Sequence, residues 1–317
     1  MKILFITIKS PKQQGDYFEL AVINGLKKVL GKDVVDYPKK KVVYGDFSEI
    51  SKDKLHGRGF TLLSRPFTDD INRDLGGQKF DAIIYGDGHM YGEDYFIEKY
   101  DQLANDNVWI LDGHDLHGVA PKKTTYLGEE IIANQFKYSF KGAVVYEETD
   151  VYPINLGIPE EMILPINLSE KNKLFQSTYP KYSLFENPTD MGGGSAHYKF
   201  TSEKDYYNDL ATSWFGLSCK RGSWDALRNY EIIAAGSLLI YRDFLNKPIS
   251  CSPQNVPCLS YSTKEELYSL FDRLVINNKP TEEYRFLLEA QREWLINYGT
   301  TTAVAKNILE IIKKKSL

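Results

Sequence analysis

The amino-acid sequence predicts an α/β protein of two domains, each built on a parallel sheet. Strand-like and helix-like segments alternate along both halves of the chain, and such alternation is typical of parallel sheets covered by helices on both faces. The pattern breaks at residues 149–170, where three prolines occur without a clear apolar period. The chain has 317 residues, which is enough for two medium-sized cores. We therefore expect domains at 1–155 and 156–317.

In the first half, apolar runs predict strands and helical spacing predicts helices. Residues 2–8 (KILFITI) are apolar and rich in β-branched side chains, whereas residues 16–31 have apolar side chains at helical spacing before Gly31. Residues 40–77 show no readable period. The remaining predicted elements are strands at 33–38, 79–88, 107–113 and 142–148, and helices at 93–106 and 129–140.

The second half repeats the alternation and ends in helices. Ser202 is a suitable N-cap for the first of these helices, and Ser262 or Thr263 for a later one. Two helices finish the chain, and the last of them is expected to pack back on the first domain. The predicted elements are helices at 202–213, 223–235, 264–275, 281–297 and 301–315, and strands at 214–219, 237–241 and 256–262.

Composition excludes several classes of protein. Hydrophobic residues make up 42% of the chain and charged residues 26%, values typical of a globular protein. The net charge of -4, without a continuous basic band, argues against nucleic acid as the main partner. The three cysteines have no C-x-x-C spacing, so neither a disulfide framework nor a structural zinc site is expected. This cysteine usage suits a reducing cytoplasm, where we expect the protein to be. No apolar run has the length of a membrane span.

One segment, residues 214–241, combines a strand, a short turn, a helix and a second strand. The turn, Lys220-Arg221-Gly222-Ser223, places two cations and a hydroxyl at the predicted start of the helix, where unpaired N–H groups favour a phosphate. Glu231 follows eight residues after Ser223, about 12 Å further along the helix axis. Its carboxylate suits the two hydroxyls of a ribose. Alternatively, Glu231 pairs on the helix surface with Arg228, one turn earlier.

These residues resemble the donor-binding half of GT-B glycosyltransferases, in which an R-x-x-E-x-x-x-x-G helix precedes a strand. The resemblance implies two Rossmann-like domains facing a cleft and a metal-independent transfer from a nucleotide sugar, with no bound cofactor. It implies that Glu231 binds the ribose, that Arg228 and the turn face the diphosphate or the sugar, and that Gly236 ends the helix. Many relatives have a second glutamate where this chain has Ser223.

Two loops of the first domain supply candidate catalytic residues. The loops are residues 85–92 and 111–118, and each stands at the end of a predicted strand. Ligands bind at the carboxyl ends of parallel strands. A base for the acceptor hydroxyl is expected first at Asp115 or His114, and then at Asp87 or His89. The same loops also contain Asp112 and His117, so a metal-dependent hydrolase is the alternative. The third interpretation is that these residues only build turns.

A glycine-rich loop at residues 189–200 is a further candidate donor site. Gly193 and Gly194 allow close approach of the backbone to a ligand, and His197 is suitably placed to meet a phosphate. The overall prediction is a glycosyltransferase that acts on a glycan or glycolipid. Its role in surface polysaccharide synthesis is implied by the resemblance alone. A binding protein that has lost catalysis is another alternative. The lysines at 313–315 suit a helix C-terminus and also permit contact with the inner face of a membrane.

Overall fold

The structure, a computed structural model, describes most of the chain. The described residues are 1–7, 17–86, 107–112, 124–126, 129–131, 134–137, 152, 154–177, 179–180, 183, 200–220, 224–247 and 252–315. They contain two parallel sheets, so the predicted parallel α/β class is confirmed. The architecture is compatible with a Rossmann-like fold.

The first sheet has five strands in the order β2-β1-β3-β4-β7, all parallel. A short antiparallel pair, β5 and β6, lies between β4 and β7 in the chain. Helix α1 (Tyr17–Leu30) follows β1. The strands of this half are β1 (Ile3–Ile6), β2 (Val34–Tyr37), β3 (Ala82–Tyr85), β4 (Val108–Asp112), β5 (Thr124–Tyr126), β6 (Glu129–Ile131) and β7 (Asn134–Lys137).

The second sheet has four parallel strands in the order β11-β10-β9-β8. Its strands are β8 (Lys173–Phe175), β9 (Ser213–Cys219), β10 (Leu238–Arg242) and β11 (Leu259–Tyr261), and a small hairpin follows as β12 (Val275–Ile276) and β13 (Lys279–Pro280). Its helices are α2 (Glu203–Ala211), α3 (Leu227–Ala234), α4 (Lys264–Leu274), α5 (Glu282–Trp294) and α6 (Thr301–Lys315). A π-helical turn, Leu295–Gly299, joins α5 to α6.

Several local predictions are confirmed. Ser202 caps α2 by accepting from the N–H of Asp205, and Thr263 caps α4 in a capping box with Glu266. Gly236 ends α3 with a φ of 83°. The N–H groups of Gly236 and Ser237 bond to the carbonyls of the last helical turn, which is a Schellman motif.

The helix predicted at 129–140 is wrong. Residues 129–131 and 134–137 are the strands β6 and β7, and β7 completes the first sheet by pairing with β4, from Trp109 opposite Asn134 to Asp112 opposite Lys137. Short apolar runs do not separate helix from strand, so the partner strand decided the outcome. The helix predicted at 93–106 and the strand at 142–148 lie outside the described residues.

The two halves share one apolar core. A single buried cluster contains side chains from β1 and α1 together with side chains from α2, α3 and α6. Helix α6 packs against α1, and the Thr301 hydroxyl donates to Asn24 Oδ1 at 2.8 Å. The segment in which the predicted pattern breaks contributes Ile154, Leu156 and Ile158 to this core. It is therefore a buried, hydrogen-bonded connection, although the exact domain boundary stays a prediction.

Candidate functional site

Three cations lie around the carboxyl end of the second sheet. Strand β9 ends at Cys219 and is followed by Lys220, the neighbouring strand β10 ends at Arg242, and Arg228 lies in the first turn of α3 between them. In a parallel sheet this edge is where ligands bind. Lys220 Nζ lies 5.3 Å from the centre of the Trp224 ring, a favourable cation–π distance. We call Lys220, Trp224, Arg228 and Arg242 the cationic cluster.

Hydrogen bonds from the surrounding elements fix the chain that leads into α3. The Tyr241 hydroxyl on β10 donates to the carbonyl of Trp224 at 2.6 Å. The Tyr230 hydroxyl and the N–H of Leu156 donate to Asp225 Oδ2, at 2.8 and 3.2 Å. These bonds keep residues 224–226 out of the helix, so α3 begins at Leu227 with Ala226 as an N-cap that makes no side-chain bond.

The predicted helix start at Ser223 is therefore wrong. Glu231 lies four residues after Leu227, so it is about 6 Å from the helix start along the axis. The predicted distance from a start at Ser223 is about 12 Å. Arg221, Gly222 and Ser223 lie outside the described residues, so their role at the phosphate stays a prediction.

Two buried donors of the cationic cluster lack an acceptor among the described residues. Trp224 Nε1 and Arg228 Nη1 make no hydrogen bond within the part of the chain that the structure describes. A buried donor without a partner costs about 1–3 kcal/mol, and such groups are uncommon in folded proteins. An anionic or strongly polar ligand at this edge would supply the missing acceptors.

Glu231 is fully inside the protein, with 1% of its surface exposed. Its Oε1 accepts from the Thr61 hydroxyl at 2.5 Å, and its Oε2 accepts from the Tyr206 hydroxyl at 2.6 Å. Protein hydroxyls therefore serve both oxygens of the carboxylate. A surface ion pair with Arg228 is wrong, because the carboxylate is not at the surface. Each oxygen keeps a second lone pair, so contact with a ribose stays a prediction.

Thr61 belongs to a loop of the first half that binds to the helices of the second half. The N–H of Thr61 donates to Glu203 Oε2 at 2.7 Å, and the Ser64 hydroxyl donates to the same oxygen. Its own φ is 71° and that of Arg58 is 55°, values that are rare for residues other than glycine and costly for a β-branched one. The loop leaves the carboxyl end of β2 and reaches the N-terminus of α2. This contact joins the loop to the N-terminus of α2 and to α3, so it links the two halves of the chain.

Burial raises the pKa of Glu231 above the ordinary carboxyl value, while the hydrogen bonds from Thr61 and Tyr206 and the charge of Arg228 oppose that rise. Desolvation is the largest cause because no water reaches the carboxylate. A carboxyl group with a raised pKa holds its proton to a higher pH than an exposed one does.

The first sheet presents its own binding edge. Its strand order changes direction between β1 and β3, and the carboxyl ends on either side of such a switch point form a crevice. Beneath it, Lys40 and Glu19 form an ion pair in which both side chains are fully buried. Gly86 follows β3, and a Cβ there would lie 2.8 Å from Glu19 Oε1. Only glycine therefore fits at this point of the edge.

The candidate catalytic residues Asp87, His89, His114 and Asp115 lie outside the described residues, as do His117, Gly193, Gly194 and His197. What the structure shows is where their loops begin. Strands β3 and β4 are parallel neighbours, with Tyr85 opposite Ile110, so the loops after them start side by side at the same edge. Across the described ranges, no group of three or more His, Cys, Asp and Glu side chains is arranged to hold a metal ion.

Sequence reasoning missed four residues of this region. Trp224 and Arg242 carry no motif, but Arg242 is the last residue of β10, which is a usable signal. Thr61 and Tyr206 were not foreseen as partners of Glu231, since 170 and 25 residues separate them from it in the chain. No sequence pattern marks such a contact.

Fold and site together define an α/β protein with two parallel sheets and a cationic cluster at the carboxyl edge of the second. Neither a scan against models of known families nor a search of curated proteins returns a match for this chain. Among the helices within the described ranges, none has both the length and the apolar character needed to cross a membrane.

Proposed function

We propose that the protein is a glycosyltransferase of the GT-B type, which moves a sugar from a nucleotide-sugar donor to a hydroxyl of a glycan or glycolipid. The observation that carries the proposal is the cationic cluster, in which Trp224 Nε1 and Arg228 Nη1 are buried without an acceptor among the described residues. A diphosphate has the charge and the acceptor oxygens that these donors lack. The hydrogen bonds of Thr61 with Glu203 and Glu231 join the two halves, and in this proposal the halves are Rossmann-like domains that face a cleft.

In this proposal the leaving diphosphate is stabilised by Lys220, Arg228 and Arg242 rather than by a metal ion. Cations held in position around a developing negative charge lower the barrier without reorganising during the reaction. Guanidinium groups suit this role because their planar donors match pairs of phosphate oxygens. Asp115, His114, Asp87 and His89 remain the proposed candidates for the base that activates the acceptor hydroxyl. Surface polysaccharide synthesis at the inner face of a membrane remains part of the proposal.

The first prediction concerns ligand class and metal. Nucleoside diphosphates and nucleotide sugars are expected to raise the melting temperature equally with and without EDTA. A ligand present at about 100 times its Kd adds roughly 2.7 kcal/mol to the free energy of unfolding, which is readily seen in a thermal-shift assay. Stabilisation that disappears in EDTA and returns with zinc or manganese would favour the metal-dependent hydrolase. No response to any nucleotide would contradict the proposed function.

The second prediction concerns Arg228. Arg228→Met is expected to weaken binding of a nucleoside diphosphate about 10- to 100-fold, because a hydrogen bond to a charged group is worth roughly 1.5–3 kcal/mol. Arg228→Lys keeps the charge but loses the fork of donors, so an intermediate loss is expected. Isothermal titration calorimetry measures both variants. Arg285→Met, at an exposed arginine of α5, is the control and should bind as wild type does. Equal affinities for wild type and Arg228→Met would remove Arg228 from the site.

A further inference from the structure

A groove of about 1040 Å³ on the protein has a lining separate from the cationic cluster. Its walls are the segment at 154–163, the loop at 254–255, the π-helical turn and the first turns of α6. None of the residues of the cationic cluster lines it. The volume is at the upper end of the range for small-molecule sites, so the groove has room for a ligand larger than one sugar ring.

The backbone around the groove is irregular at two places. Asn255 has a φ of 56°, and Leu295–Gly299 form a π-helical turn. A π-helical turn is uncommon and occurs frequently at functional sites, whereas asparagine adopts a positive φ more readily than most residues. Asn155 holds the two places together, because its side chain donates to the Tyr298 carbonyl and accepts from the Gln254 N–H, each at 3.1 Å. These hydrogen bonds hold the π-helical turn and the loop at 254–255 in place along the groove.

Four amide side chains line the groove and make no hydrogen bond within the described residues: Gln254, Asn255, Asn297 and Asn307. Each amide offers an acceptor and two donors on one plane. A sugar hydroxyl both donates and accepts, so neighbouring hydroxyls of a sugar match an amide directly. A phosphate or a carboxylate would use only the donors.

An aromatic ring and an aliphatic side chain complete the lining. Tyr298 is 59% exposed and Ile296 is 53% exposed, both on the π-helical turn. A tyrosine ring offers an apolar face together with a polar hydroxyl, which suits the apolar face of a pyranose ring and its hydroxyl edge.

The charges in the groove are largely balanced. Glu160 accepts from Lys28 Nζ at 2.8 Å and from the Thr302 N–H at 3.1 Å. Lys306 and Glu310 have opposite charges and lie one turn apart on α6. An anionic ligand finds no excess of positive charge in this lining, so a neutral ligand is favoured over an anionic one.

We propose that this groove binds a neutral oligosaccharide. Amide groups that make no hydrogen bond among the described residues, an exposed tyrosine, a lining without excess positive charge and room for more than one ring together match that class of ligand. The proposal does not depend on the transferase function. If both are correct, the groove holds a glycan chain apart from the donor site.

Tyr298→Ala tests the groove. Wild-type protein is titrated by calorimetry with short neutral oligosaccharides of glucose, galactose, mannose and N-acetylglucosamine. At least one of these is expected to bind, and Tyr298→Ala is expected to weaken that binding tenfold or more. A double variant, Asn297→Ala with Asn307→Ala, should have a similar effect. Tyr268→Ala, which removes a tyrosine 46% exposed on α4, is the matched control and should bind as wild type does.

Two results would overturn this proposal. One is that no oligosaccharide of the panel binds wild-type protein, and the other is that binding is unchanged in Tyr298→Ala and in the double variant. Melting temperatures show whether each variant is folded, and all three side chains are exposed. Nucleoside diphosphate affinity, measured on the same samples, should be unchanged in the variants. A loss of nucleotide binding alone would count against the proposed donor site and not against the groove.

Discussion

Replacing Glu231 with alanine is expected to lower the free energy of unfolding by about 2–5 kcal/mol. The substitution empties a fully buried position and leaves the hydroxyls of Thr61 and Tyr206 without their acceptor. Because Thr61 and Tyr206 belong to different halves, the loss also weakens the junction between them. Chemical denaturation followed by tryptophan fluorescence measures the change.

Glu231→Gln is the matched control, since it keeps the shape and one acceptor oxygen. Hydroxyl groups can accept as well as donate, so Thr61 and Tyr206 can both still bond to the amide and a much smaller loss is expected. If alanine and glutamine cost the same small amount, the buried contact described for Glu231 would be contradicted.

The glutamine variant is also expected to change the dependence of stability on pH. The pKa of Glu231 is raised in the folded protein, so the folded state holds a proton that the unfolded state releases. The contribution of Glu231 to the free energy of unfolding is then fully present below the ordinary carboxyl pKa. It is lost as the pH rises through the raised pKa of the folded protein. Glu231→Gln has no such group, and its stability should fall less over this range. Parallel curves for the two proteins would contradict the expected shift.

Nucleotide binding by the same variant separates the two roles of Glu231. If a ribose contacts the carboxylate, affinity for a nucleoside diphosphate should fall about 10- to 100-fold. If Glu231 only joins the halves, affinity should stay within a factor of about two, which is well under 1 kcal/mol. A 2′-deoxyribose ligand is the control, because it should bind wild type more weakly and lose little further affinity in the variant.

Gly25→Ala is expected to lower the free energy of unfolding by about 3 kcal/mol, although alanine is normally the better residue inside a helix by about 1 kcal/mol. A Cβ at position 25 would lie 2.0 Å from the backbone oxygen of Thr301 and 3.0 Å from the Cβ of Ala305. Backbone atoms cannot turn away as a side chain does, so α1 and α6 would have to separate. Thermal or chemical denaturation shows the change.

Gly76→Ala provides the comparison for Gly25. Position 76 is exposed, and the nearest atom to an added Cβ is a carboxylate oxygen of Asp74 at 3.3 Å. That substitution should change stability by less than about 0.5 kcal/mol, as surface substitutions usually do. A Gly25→Ala protein as stable as wild type, or more stable, would show that α6 does not pack on α1 in this way.

The sequence by itself determined the class of fold and most of the second half. The strands β9 and β10 with α3 between them, the Ser202 and Thr263 caps and the stop at Gly236 all follow from local patterns. Such features depend on neighbours a few residues away, so a short window of sequence contains the information. The same holds for the expectation that cations gather where β9 ends, because Lys220 stands next to that strand end.

Only the tertiary structure decided the features that join distant parts of the chain. The segment 134–137 became a strand because β4 offers it a partner, although its own pattern predicted a helix. Helix α3 starts at Leu227 because Tyr241 and Leu156 bond to the residues before it. Glu231 lies against Thr61 because the left-handed backbone of that loop brings a hydroxyl from 170 residues away. Hydrogen bonds and packing of this kind depend on proximity in space, which no local pattern of residues encodes.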